Sequence, residues 1–381
     1  MMRVGIDNIS PGLSTTPQAL GGMRHWLEGV VNGLARVGPE HEFELFSPTW
    51  FQPFTLAPGI RIIHVPDLDV PKGQGARAVY EQFRLPGRIR QRGLSVWLGT
   101  CNTLPIFAGG RAVLIIQSVQ YRTHPETFAW GRRIYLRTML RWSVRRADAI
   151  VVFSGANKKQ IVRWFGVDEH RVHVIPHACR YPSTVAPASA QEQREVYALT
   201  GGPYILSVSA FYAYKNLHRL IEAYARLERP LTHRLVLAGS PTAQVSVADI
   251  TANARHAGVE DDVVCLGRVP DDVLPKLYRH ATLMAMPSLE ETFGFPALEA
   301  MALGCPVVTS NLSSMPEIVA DAGLLVDPYD VDSIAEGLRQ VLASPDRRTR
   351  MIDLGRARAA TFTYDRFSRS LLRVLESTAR P

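Results

Sequence analysis

The segment that decides the fold is Pro287-Ser-Leu-Glu-Glu-Thr-Phe-Gly-Phe-Pro-Ala-Leu-Glu-Ala-Met-Ala-Leu-Gly-Cys-Pro-Val-Val308. It places two carboxylates, Glu291 and Glu299, eight positions apart across a glycine-proline turn that opens a helix. Pro296 suits the first position of that helix, because the N–H group that proline lacks would have no partner there. We predict a helix over residues 296–304 and a buried strand over residues 306–309.

The start of this helix is a candidate anion site. Backbone N–H groups around Gly294, Phe295 and Ala297 would point at whatever precedes the helix, and together with the helix dipole they favour phosphate. With Glu299 in the first turn and Glu291 in the preceding loop, a carboxylate on each side suits a diphosphate flanked by hydroxyls, as in a nucleotide-sugar. The alternative is that Glu299 only favours its helix dipole and that Glu291 is a solvated loop residue.

Length and composition indicate an ordinary globular protein of two domains. A chain of 381 residues is long for one core, and its 46% hydrophobic and 20% charged residues are typical of soluble proteins. No apolar run approaches the ~20 residues that span a bilayer, and residues 1–7 lack a signal-peptide layout. The four cysteines are scattered without a Cys-x-x-Cys pair, which argues against a metal cluster or disulfide framework and fits a reducing cytoplasm.

The net charge of +8 is unevenly distributed along the chain. Residues 1–190 hold 23 Lys and Arg against 12 Asp and Glu, a net charge of +11, whereas residues 191–381 hold 20 against 23, a net charge of −3. The first half must therefore face or tolerate a negative partner. Nucleic acid and an anionic membrane surface are both candidates.

Apolar segments of strand length alternate with amphipathic segments of helix length, which predicts α/β layers. The predicted strands are 3–8, 42–47, 61–65, 95–98, 112–117, 149–153, 171–175, 204–209, 234–238, 263–266, 283–286, 306–309 and 324–326. The predicted helices are 22–37, 74–91, 130–147, 155–165, 215–228, 245–257, 271–280, 296–304 and 331–343. We therefore predict two doubly wound, Rossmann-like domains with the ligand at the carboxyl ends of strands, in a cleft between them.

The domain boundary is predicted from composition. Residues 182–191 are rich in Pro, Ser and Ala and are typical of an interdomain connector. We therefore assign residues 1–182 to the first domain and residues 200–360 to the second. Residues 363–378 form an amphipathic segment suited to a final helix.

Several segments together resemble a known family, the retaining GT-B glycosyltransferases of the family 4 type. The Glu-x7-Glu segment is similar to the signature of that family, and the resemblance covers almost the whole chain, most specifically in its second half. The other segments that carry it are Gly21-Gly22, Ala147-Asp-Ala-Ile-Val-Val-Phe-Ser154, Val174-Ile-Pro-His177, Lys215-Asn216, Val236-Leu-Ala-Gly239 and Ser310-Asn-Leu-Ser-Ser-Met-Pro-Glu317. The resemblance implies two facing Rossmann-like domains, with the last helix crossing back onto the first.

The resemblance also implies roles for residues of the second domain. Lys215 would clamp the diphosphate of a nucleotide-diphospho-sugar, Glu291 would hold the sugar hydroxyls, and Glu299 would hold the ribose. A lysine just beyond a predicted strand is also suited by itself to neutralise phosphate, although a surface lysine at a helix start is the alternative. Lys215 and Glu291 are the candidate catalytic residues. The donor-binding segment comprises Phe293, Gly294, Phe295, Pro296 and Ala297.

Gly21-Gly22 and Gln117 are the candidates of the first domain. The glycine pair lets the backbone approach a phosphate, although it is also typical of an ordinary turn. The resemblance implies that this loop meets the diphosphate and the acceptor. Gln117 stands where relatives often place a His that touches the transferred sugar, and an amide cannot act as a base near neutral pH. His124 and His177 are further candidates with a simpler structural interpretation.

The second domain also departs from the family pattern. Many relatives carry an Arg six residues before the lysine, and that position is Ser209 here. Either the phosphate site is then weaker, or Arg268 or a cation of the first domain supplies the missing charge.

Metal and dinucleotide chemistry are not favoured by the motifs. Asp67-Leu-Asp69 and Asp330-Val-Asp332 could hold a metal on a diphosphate, as in the single-domain GT-A architecture, but neither follows the expected strand. We interpret both as solvated loop acids. The chain has no Gly-x-Gly-x-x-Gly and no Gly-x4-Gly-Lys-Ser/Thr. We expect no metal and no cofactor.

The predicted helix 130–147 carries Arg133, Arg137, Arg141 and Arg145 at intervals of four residues. A second cluster comprises Arg84, Arg88, Arg90 and Arg92. A solvated helix face is one interpretation. Trp142 and the positive charge of this half instead favour peripheral binding to anionic lipid. Nucleic acid is disfavoured because no recognition module is visible.

These observations predict a metal-independent hexosyltransferase of the cytoplasm, extending to the inner face of the plasma membrane if the arginines bind lipid. Segments 211–216 and 311–317 resemble bacterial mannosyltransferases of surface-polysaccharide assembly. The donor is therefore predicted to be GDP-mannose and the acceptor a glycan or a lipid-linked glycan. Two alternatives remain: a nucleotide-sugar epimerase or hydrolase on a related fold, and a catalytically silent nucleotide-sugar sensor, which Gln117 and Ser209 would fit.

Overall fold

The computed structural model describes residues 1–8, 21–48, 56, 60–65, 74–181 and 189–380. The chain divides into two compact units, unit 1 formed by Met1–Ala178 with Thr363–Pro381 and unit 2 formed by Cys179–Phe362. In the part of the chain that is described, no helix combines the length and the apolar character needed to cross a membrane.

Unit 1 is built on a seven-stranded parallel sheet with the strand order β3-β2-β1-β4-β5-β6-β7. Its strands are β1 (Arg3–Asp7), β2 (Glu42–Pro48), β3 (Ile60–Val65), β4 (Val96–Gly99), β5 (Arg111–Ile115), β6 (Ala149–Val152) and β7 (Val172–Val174). The central strands β4 and β6 are buried at every position, because helices cover both faces of a parallel sheet.

The helices of unit 1 are α1 (Gly21–Val37), α2 (Gln74–Phe83), α3 (Leu85–Gln91), α4 (Gln120–Thr123), α5 (Trp130–Arg146), α6 (Gly155–Phe165) and α15 (Tyr364–Ala379). The single helix predicted over residues 74–91 is wrong, since the chain breaks at Arg84 between α2 and α3. Pro86 lies in the first turn of α3, where its missing N–H is tolerated, and it could not continue α2.

The last helix, α15, packs on α1 within unit 1, as the family resemblance implies. Gly29 and Gly33 of α1 make this close approach possible, because a Cβ atom at either position would collide with Tyr364 or Ser368 of α15. Phe367 of α15 is buried, with its ring beside Phe153. His177 is buried beside Trp26, Phe153 and Phe367, and burial lowers its pKa to about 3. The structural interpretation of His177 is thereby favoured.

Unit 2 contains a six-stranded parallel sheet with the order β10-β9-β8-β11-β12-β13. Its strands are β8 (Tyr204–Val208), β9 (Arg234–Ala238), β10 (Val263–Gly267), β11 (Leu283–Met286), β12 (Val307–Ser310) and β13 (Gly323–Val326). All thirteen predicted strands are therefore present in the two sheets, with ends that shift by at most two residues. Buried aliphatic residues of β8, β9 and β11 form its core with α8 and α13.

The helices of unit 2 are α7 (Ala190–Thr200), α8 (Leu217–Ala225), α9 (Val247–His256), α10 (Leu274–His280), α11 (Phe295–Ala302), α12 (Met315–Val319), α13 (Val331–Ala343) and α14 (Pro345–Ala359). The sequence prediction missed the short helix α12 and the longer helices α7 and α14. Ser189 and Ser344 cap the two longer helices by accepting a hydrogen bond from the third helical N–H, a signal present in the sequence. The predicted connector 182–191 is wrong at its end, where α7 begins, and residues 182–188 lie outside the described part.

Candidate functional site

The order of strands in unit 2 reverses between β8 and β11, and open α/β sheets bind ligands at such a switch point. The loop after β8 carries Lys215, at the end of a 3₁₀ turn (Ala213–Lys215), and the loop after β11 carries Glu291. Lys215 Nζ donates a hydrogen bond to Glu291 Oε1 at 2.7 Å, and both side chains are largely buried. The fold therefore brings the two predicted catalytic residues together as an ion pair.

Asn216 holds the lysine loop in place. Its backbone is left-handed, with a φ of 63°, and its side chain is fully buried. The amide Nδ2 donates to the carbonyl of Pro287 at 3.0 Å and to that of Pro328 at 2.7 Å. One side chain thus joins the loops that follow β8, β11 and β13. The sequence prediction quoted Asn216 but gave it no role.

The glutamate loop is fixed by two serines that follow β12. Ser313 Oγ donates to the carbonyl of Glu291 at 2.6 Å, and Ser314 Oγ donates to the same oxygen at 2.9 Å. The Glu291 N–H donates back to Ser313 Oγ at 3.3 Å. These bonds orient the Glu291 carboxylate without occupying it.

The start of α11 differs from the prediction in three details. Gly294 is the residue before the helix, so Phe295 is the first helical position and Pro296 the second. Glu299 consequently lies beyond the first turn. The N–H of Ala297 is not free, because it donates to the carbonyl of Gly294 at 3.1 Å.

Glycine is required at position 294 for two reasons. Its φ of +92° is left-handed, and a Cβ atom would lie 2.6 Å from Met315 Sδ. Phe293 is buried against Phe295, with ring centroids 5.1 Å apart. The segment 293–295 is therefore a tightly packed corner between the Glu291 loop and the helix.

Glu299 lies half-buried on α11 and accepts a hydrogen bond from the hydroxyl of Tyr278 at 3.2 Å. Burial raises the pKa of Glu299 to about 7, and the positive charge of Arg180 opposes the rise. Arg180 in turn pairs with Asp271 at 3.2 Å. Cys179, next to Arg180, contacts the carbonyl of Leu298 on α11. Sequence patterns did not indicate Tyr278, Arg180 or Asp271, because three separate segments supply them.

Ser209, which departs from the family pattern, and Arg268, predicted to supply the missing charge, lie at different places on the sheet edge. Ser209 directly follows β8, and its hydroxyl is buried without a hydrogen-bond partner among the described residues. Its carbonyl lies against Gly239, where any Cβ atom would collide with it. Arg268 follows β10, two strands from β8, and its side chain is exposed. A role for Arg268 at the phosphate site remains a prediction.

Unit 1 has its own switch point, between β1 and β4. Gln117 lies beside it, where its Nε2 donates to the carbonyl of Thr100 at 3.0 Å and its N–H donates to Asn102 Oδ1 at 2.8 Å. The Thr100 hydroxyl donates to the carbonyl of Asp7 at 2.7 Å. Gly21 and Gly22 are the first two residues of α1 rather than part of a loop before it.

A buried carboxyl near this edge was missed by sequence reasoning. Glu81 of α2 is buried and accepts a hydrogen bond from the hydroxyl of Tyr135 at 3.2 Å. Burial and the charge of Asp7 raise the pKa of Glu81 to about 8. The side chain is therefore largely protonated at neutral pH. No short motif identifies such a group, because its environment comes from distant segments.

The Asp-x-Asp segments do not form a metal site among the described residues. Asp330 accepts a hydrogen bond from the Asp332 N–H at 2.9 Å and thereby caps α13, while Asp332 pairs with Arg226. Asp330 is an exposed loop acid, as predicted, and it also caps α13, whereas Asp332 lies within the first turn of that helix. Asp67 and Asp69 lie outside the described residues.

Comparison with known proteins identifies the family to which the chain belongs. The family described as Glycosyltransferase Family 4 matches residues 20–179, and the family described as Glycosyl transferases group 1 matches residues 189–358. O-antigen chain mannosyltransferase B of Escherichia coli is 33% identical over 274 residues, which cover 67% of this chain and 67% of that protein.

A second relative is a GDP-mannose-dependent alpha-(1-6)-phosphatidylinositol monomannoside mannosyltransferase of Mycolicibacterium smegmatis. It is 27% identical over 364 residues, which cover 89% of this chain and 90% of that protein. Among solved structures, a sucrose-phosphate synthase from Thermosynechococcus elongatus matches 99% of each chain with a TM-score of 0.77 and 19% identity, a likeness of fold alone. From these matches and the two doubly wound units, the chain belongs to the GT-B glycosyltransferases of the family 4 type and is a glycosyltransferase.

Proposed function

We propose that this glycosyltransferase moves a hexose, with retention of its anomeric configuration, from a nucleotide-diphospho-sugar bound at the switch point of unit 2. The observation that carries the proposal is the buried pair of Lys215 and Glu291 at the carboxyl ends of β8 and β11. Desolvation makes a buried ion pair a weak source of stability, and its position at a ligand-binding edge favours a functional role.

Each member of the pair suits one part of the donor. An ammonium group has three N–H donors, and Glu291 uses one of those of Lys215, so two can serve phosphate oxygens. Glu291 keeps a second carboxylate oxygen for hydroxyls of the sugar. The hydrogen bonds from Ser313 and Ser314 hold the loop of that carboxylate fixed before the donor arrives.

Glu299 is the proposed ribose ligand. A carboxylate that accepts from Tyr278 on one oxygen retains acceptor capacity on the other, which suits a ribose hydroxyl. The positive charge of Arg180 favours the ionised form. Arg180 is therefore proposed as a positioning residue that acts through Glu299.

Negative charge accumulates on the departing diphosphate as the bond from the sugar to oxygen breaks. Lys215 and the amino-terminal end of α11 should stabilise that charge more in the transition state than in the ground state. The sugar becomes oxocarbenium-like and reacts on the face that the leaving group vacates. A phosphate oxygen of the donor takes the proton of the acceptor hydroxyl, so no separate general base is required, and no metal is invoked.

The proposed donor is GDP-mannose, and the proposed acceptor is a glycan or a lipid-linked glycan. Both relatives described above are named as mannosyltransferases, and one is named as dependent on GDP-mannose. Their names support this choice, and an epimerase, a hydrolase and a silent sensor remain alternative outcomes of the test.

The test is a panel of GDP-, UDP-, dTDP- and ADP-sugars, measured in EDTA by thermal shift. A ligand that binds only the folded protein raises its melting temperature. We expect GDP-mannose to respond and the response to be lost in Glu299→Ala, with His256→Ala of α9 as the matched control. No response from any donor in a folded protein would contradict the proposal.

Measurements of GDP release then distinguish a glycosyltransferase from a hydrolase and from a silent sensor. Acceptor-dependent release of GDP, with an α-linked product by NMR, supports retaining transfer. Release without any acceptor indicates a hydrolase, and tight binding without release indicates a sensor. Full activity in EDTA supports the metal-independent mechanism, whereas loss of activity that Mg²⁺ restores would contradict it.

A further inference from the structure

We propose that a basic and aromatic face of unit 1 docks on an anionic lipid bilayer. The face consists of α5 (Trp130–Arg146), the end of α2 and the loop 104–110, and we call it the α5 face. The proposal goes beyond the function proposed above and does not depend on it, because lipid binding can be measured without turnover.

The helix α5 supplies the charge. Arg133, Arg137, Arg141 and Arg145 lie four residues apart, so they follow one stripe of the helix, and all four are exposed. The helix contains six arginines and no Asp or Glu. An arginine near an anionic bilayer surface contributes about 1 kcal/mol to binding, so this stripe matches such a surface in charge.

Large apolar side chains share the stripe. Trp130 is 76% exposed and Ile134 is 47% exposed, and they precede Arg133 and Arg137 by three residues on the same side of the helix. Trp142 is 50% exposed, with the guanidinium of Arg145 6.0 Å from its ring centroid. Tryptophan prefers the boundary between lipid and water, where an apolar ring with one polar N–H is best accommodated.

A pair of phenylalanines extends the face beyond α5. Phe83 at the end of α2 is 71% exposed, and Phe107 in the loop is 59% exposed. Their rings stack on each other with centroids 6.0 Å apart. An exposed cluster of two side chains without any polar atom is unfavourable in water and marks an interaction surface.

Hydrogen bonds join the three parts of the α5 face. Tyr135 of α5 donates to Glu81 of α2, and Ser143 of α5 accepts from the Leu104 N–H at 2.9 Å. Arg146 donates to the carbonyls of Gly109 and Gly110 at 2.7 and 2.6 Å. The stacked phenylalanines and the arginine stripe therefore belong to one body. Arg92 of the predicted second cluster does not contribute, because it pairs with Glu44.

Lipid fits this combination better than nucleic acid. Arginines would contact headgroup phosphates, tryptophans would lie at the interface, and the phenylalanine pair would enter the acyl region. The two phenyl rings already stack on each other, so neither leaves both faces open to a base. Nucleic acid binding would depend almost wholly on the arginines and would disappear at high salt.

The experiment is sedimentation of the full chain with vesicles of phosphatidylcholine alone or with about 30% phosphatidylglycerol. We expect binding to the anionic vesicles to be much tighter than binding to the neutral ones. Arg133→Gln/Arg137→Gln/Arg141→Gln should weaken it roughly 100-fold, at about fivefold for each arginine. The matched control is Arg194→Gln/Arg347→Gln/Arg350→Gln, which removes three exposed arginines of unit 2 and should change nothing.

The apolar part is tested by Phe83→Ser/Phe107→Ser, with Leu199→Ser/Val247→Ser of unit 2 as the control pair of exposed residues. Binding that persists in about 0.5 M salt should vanish only in the phenylalanine variant, because salt screens the arginines but not the apolar contact. Far-UV circular dichroism verifies that each variant is folded. Quenching of Trp130 and Trp142 by brominated lipid, absent in Trp130→Phe/Trp142→Phe, should accompany binding.

Three results would overturn the proposal. Equal binding to neutral and anionic vesicles would remove the role of the arginines. Equal effects of the test and control variants would place the contact elsewhere. Tighter binding to a single-stranded oligonucleotide than to anionic vesicles, lost in the arginine variant alone, would assign the α5 face to nucleic acid.

Discussion

Both units carry a parallel sheet with one switch point, but the chemistry at the two switch points differs. In unit 2, Lys215 and Glu291 meet as a buried ion pair. In unit 1, the amide of Gln117 and the hydroxyl of Thr100 bond to backbone carbonyls, and the nearby buried carboxyl of Glu81 has a raised pKa. The edge of unit 2 therefore holds a paired lysine and glutamate, whereas the edge of unit 1 holds neutral hydrogen-bonded groups beside the buried carboxyl groups of Asp7 and Glu81.

The net charges of the two whole units do not follow this difference between their sheet edges. Unit 1 holds 26 Lys and Arg against 14 Asp and Glu, a net charge of +12, whereas unit 2 holds 17 against 21, a net charge of −4. A strongly basic unit therefore does not carry a lysine–glutamate pair at its switch point among the described residues. The proposed diphosphate site of unit 2 thus rests on local geometry and not on the net charge of the unit.

The largest expected effect comes from removing the charged pair. Lys215→Ala and Glu291→Ala should each lower kcat/KM by at least about tenfold, and on the order of 100-fold if the lysine stabilises the leaving diphosphate. The measurement is steady-state transfer with folded, purified variants. Gln117→Ala is the matched change in unit 1 and should cost less than about tenfold, because it removes no charge. Near-normal turnover in the Lys215 variant would contradict the proposed difference between the two switch points. Equal losses of kcat/KM in the Lys215, Glu291 and Gln117 variants would contradict it as well.

The next largest expected effect is on stability and comes from the backbone geometry of unit 2. Gly294→Ala should lower the free energy of unfolding by about 2–3 kcal/mol, since it combines a left-handed φ with a contact to Met315 Sδ. Gly258→Ala is the control, because Gly258 has a φ of +70° but open space around its Cβ position. Chemical denaturation should show a loss of only about 1 kcal/mol there. Similar losses in the two variants would refute the packing argument.

The buried carboxyl of unit 1 gives a pH effect. The pKa of Glu81 rises on folding from 4.5 to about 8, so the folded state binds the proton more tightly. Stability is therefore greatest below the unfolded pKa and falls as pH rises through about 8, by about 1–2 kcal/mol between pH 6 and pH 8. Glu81→Gln should remove this slope in urea unfolding.

Glu44 provides the opposite control. It is buried in unit 1 as well, but Arg92 and Arg3 hold its pKa below the usual range despite burial. Its contribution to stability is present above the unfolded pKa and is lost as pH falls. Glu44→Gln should therefore destabilise the protein at neutral pH, and an unchanged stability would contradict the role of these ion pairs.

The smallest expected effect is a pH dependence of the affinity for the proposed donor. Because the pKa of Glu299 lies near 7, its ionised fraction rises between pH 6 and pH 8. Donor affinity, measured by calorimetry, should strengthen several-fold over that range if the carboxylate accepts a ribose hydroxyl. The dependence should disappear in Glu299→Gln. Arg180→Gln should shift it to higher pH, and an unaltered profile would remove Arg180 as a positioning residue.

Much of this architecture could be predicted from local patterns. Strands such as Arg234–Ala238 and helices such as Val331–Ala343 have the predicted bounds, because apolar periodicity reports directly which face is buried. The helices α7 and α14 were missed because their weak amphipathic pattern left only the serine caps as a signal. The break at Arg84 was missed because periodicity continues across it.

The sequence by itself determined the alternation of strands and helices, the glycine-proline corner at 294–296 and the residue types of the proposed donor site. Only the tertiary structure decided that Lys215 bonds to Glu291, that Asn216 joins three loops, and that Tyr278 and Arg180 lie near Glu299. The physical reason is that secondary structure depends on near neighbours in the chain. Ion pairs and pKa values depend on burial and distance between segments that only the folded sheet brings together.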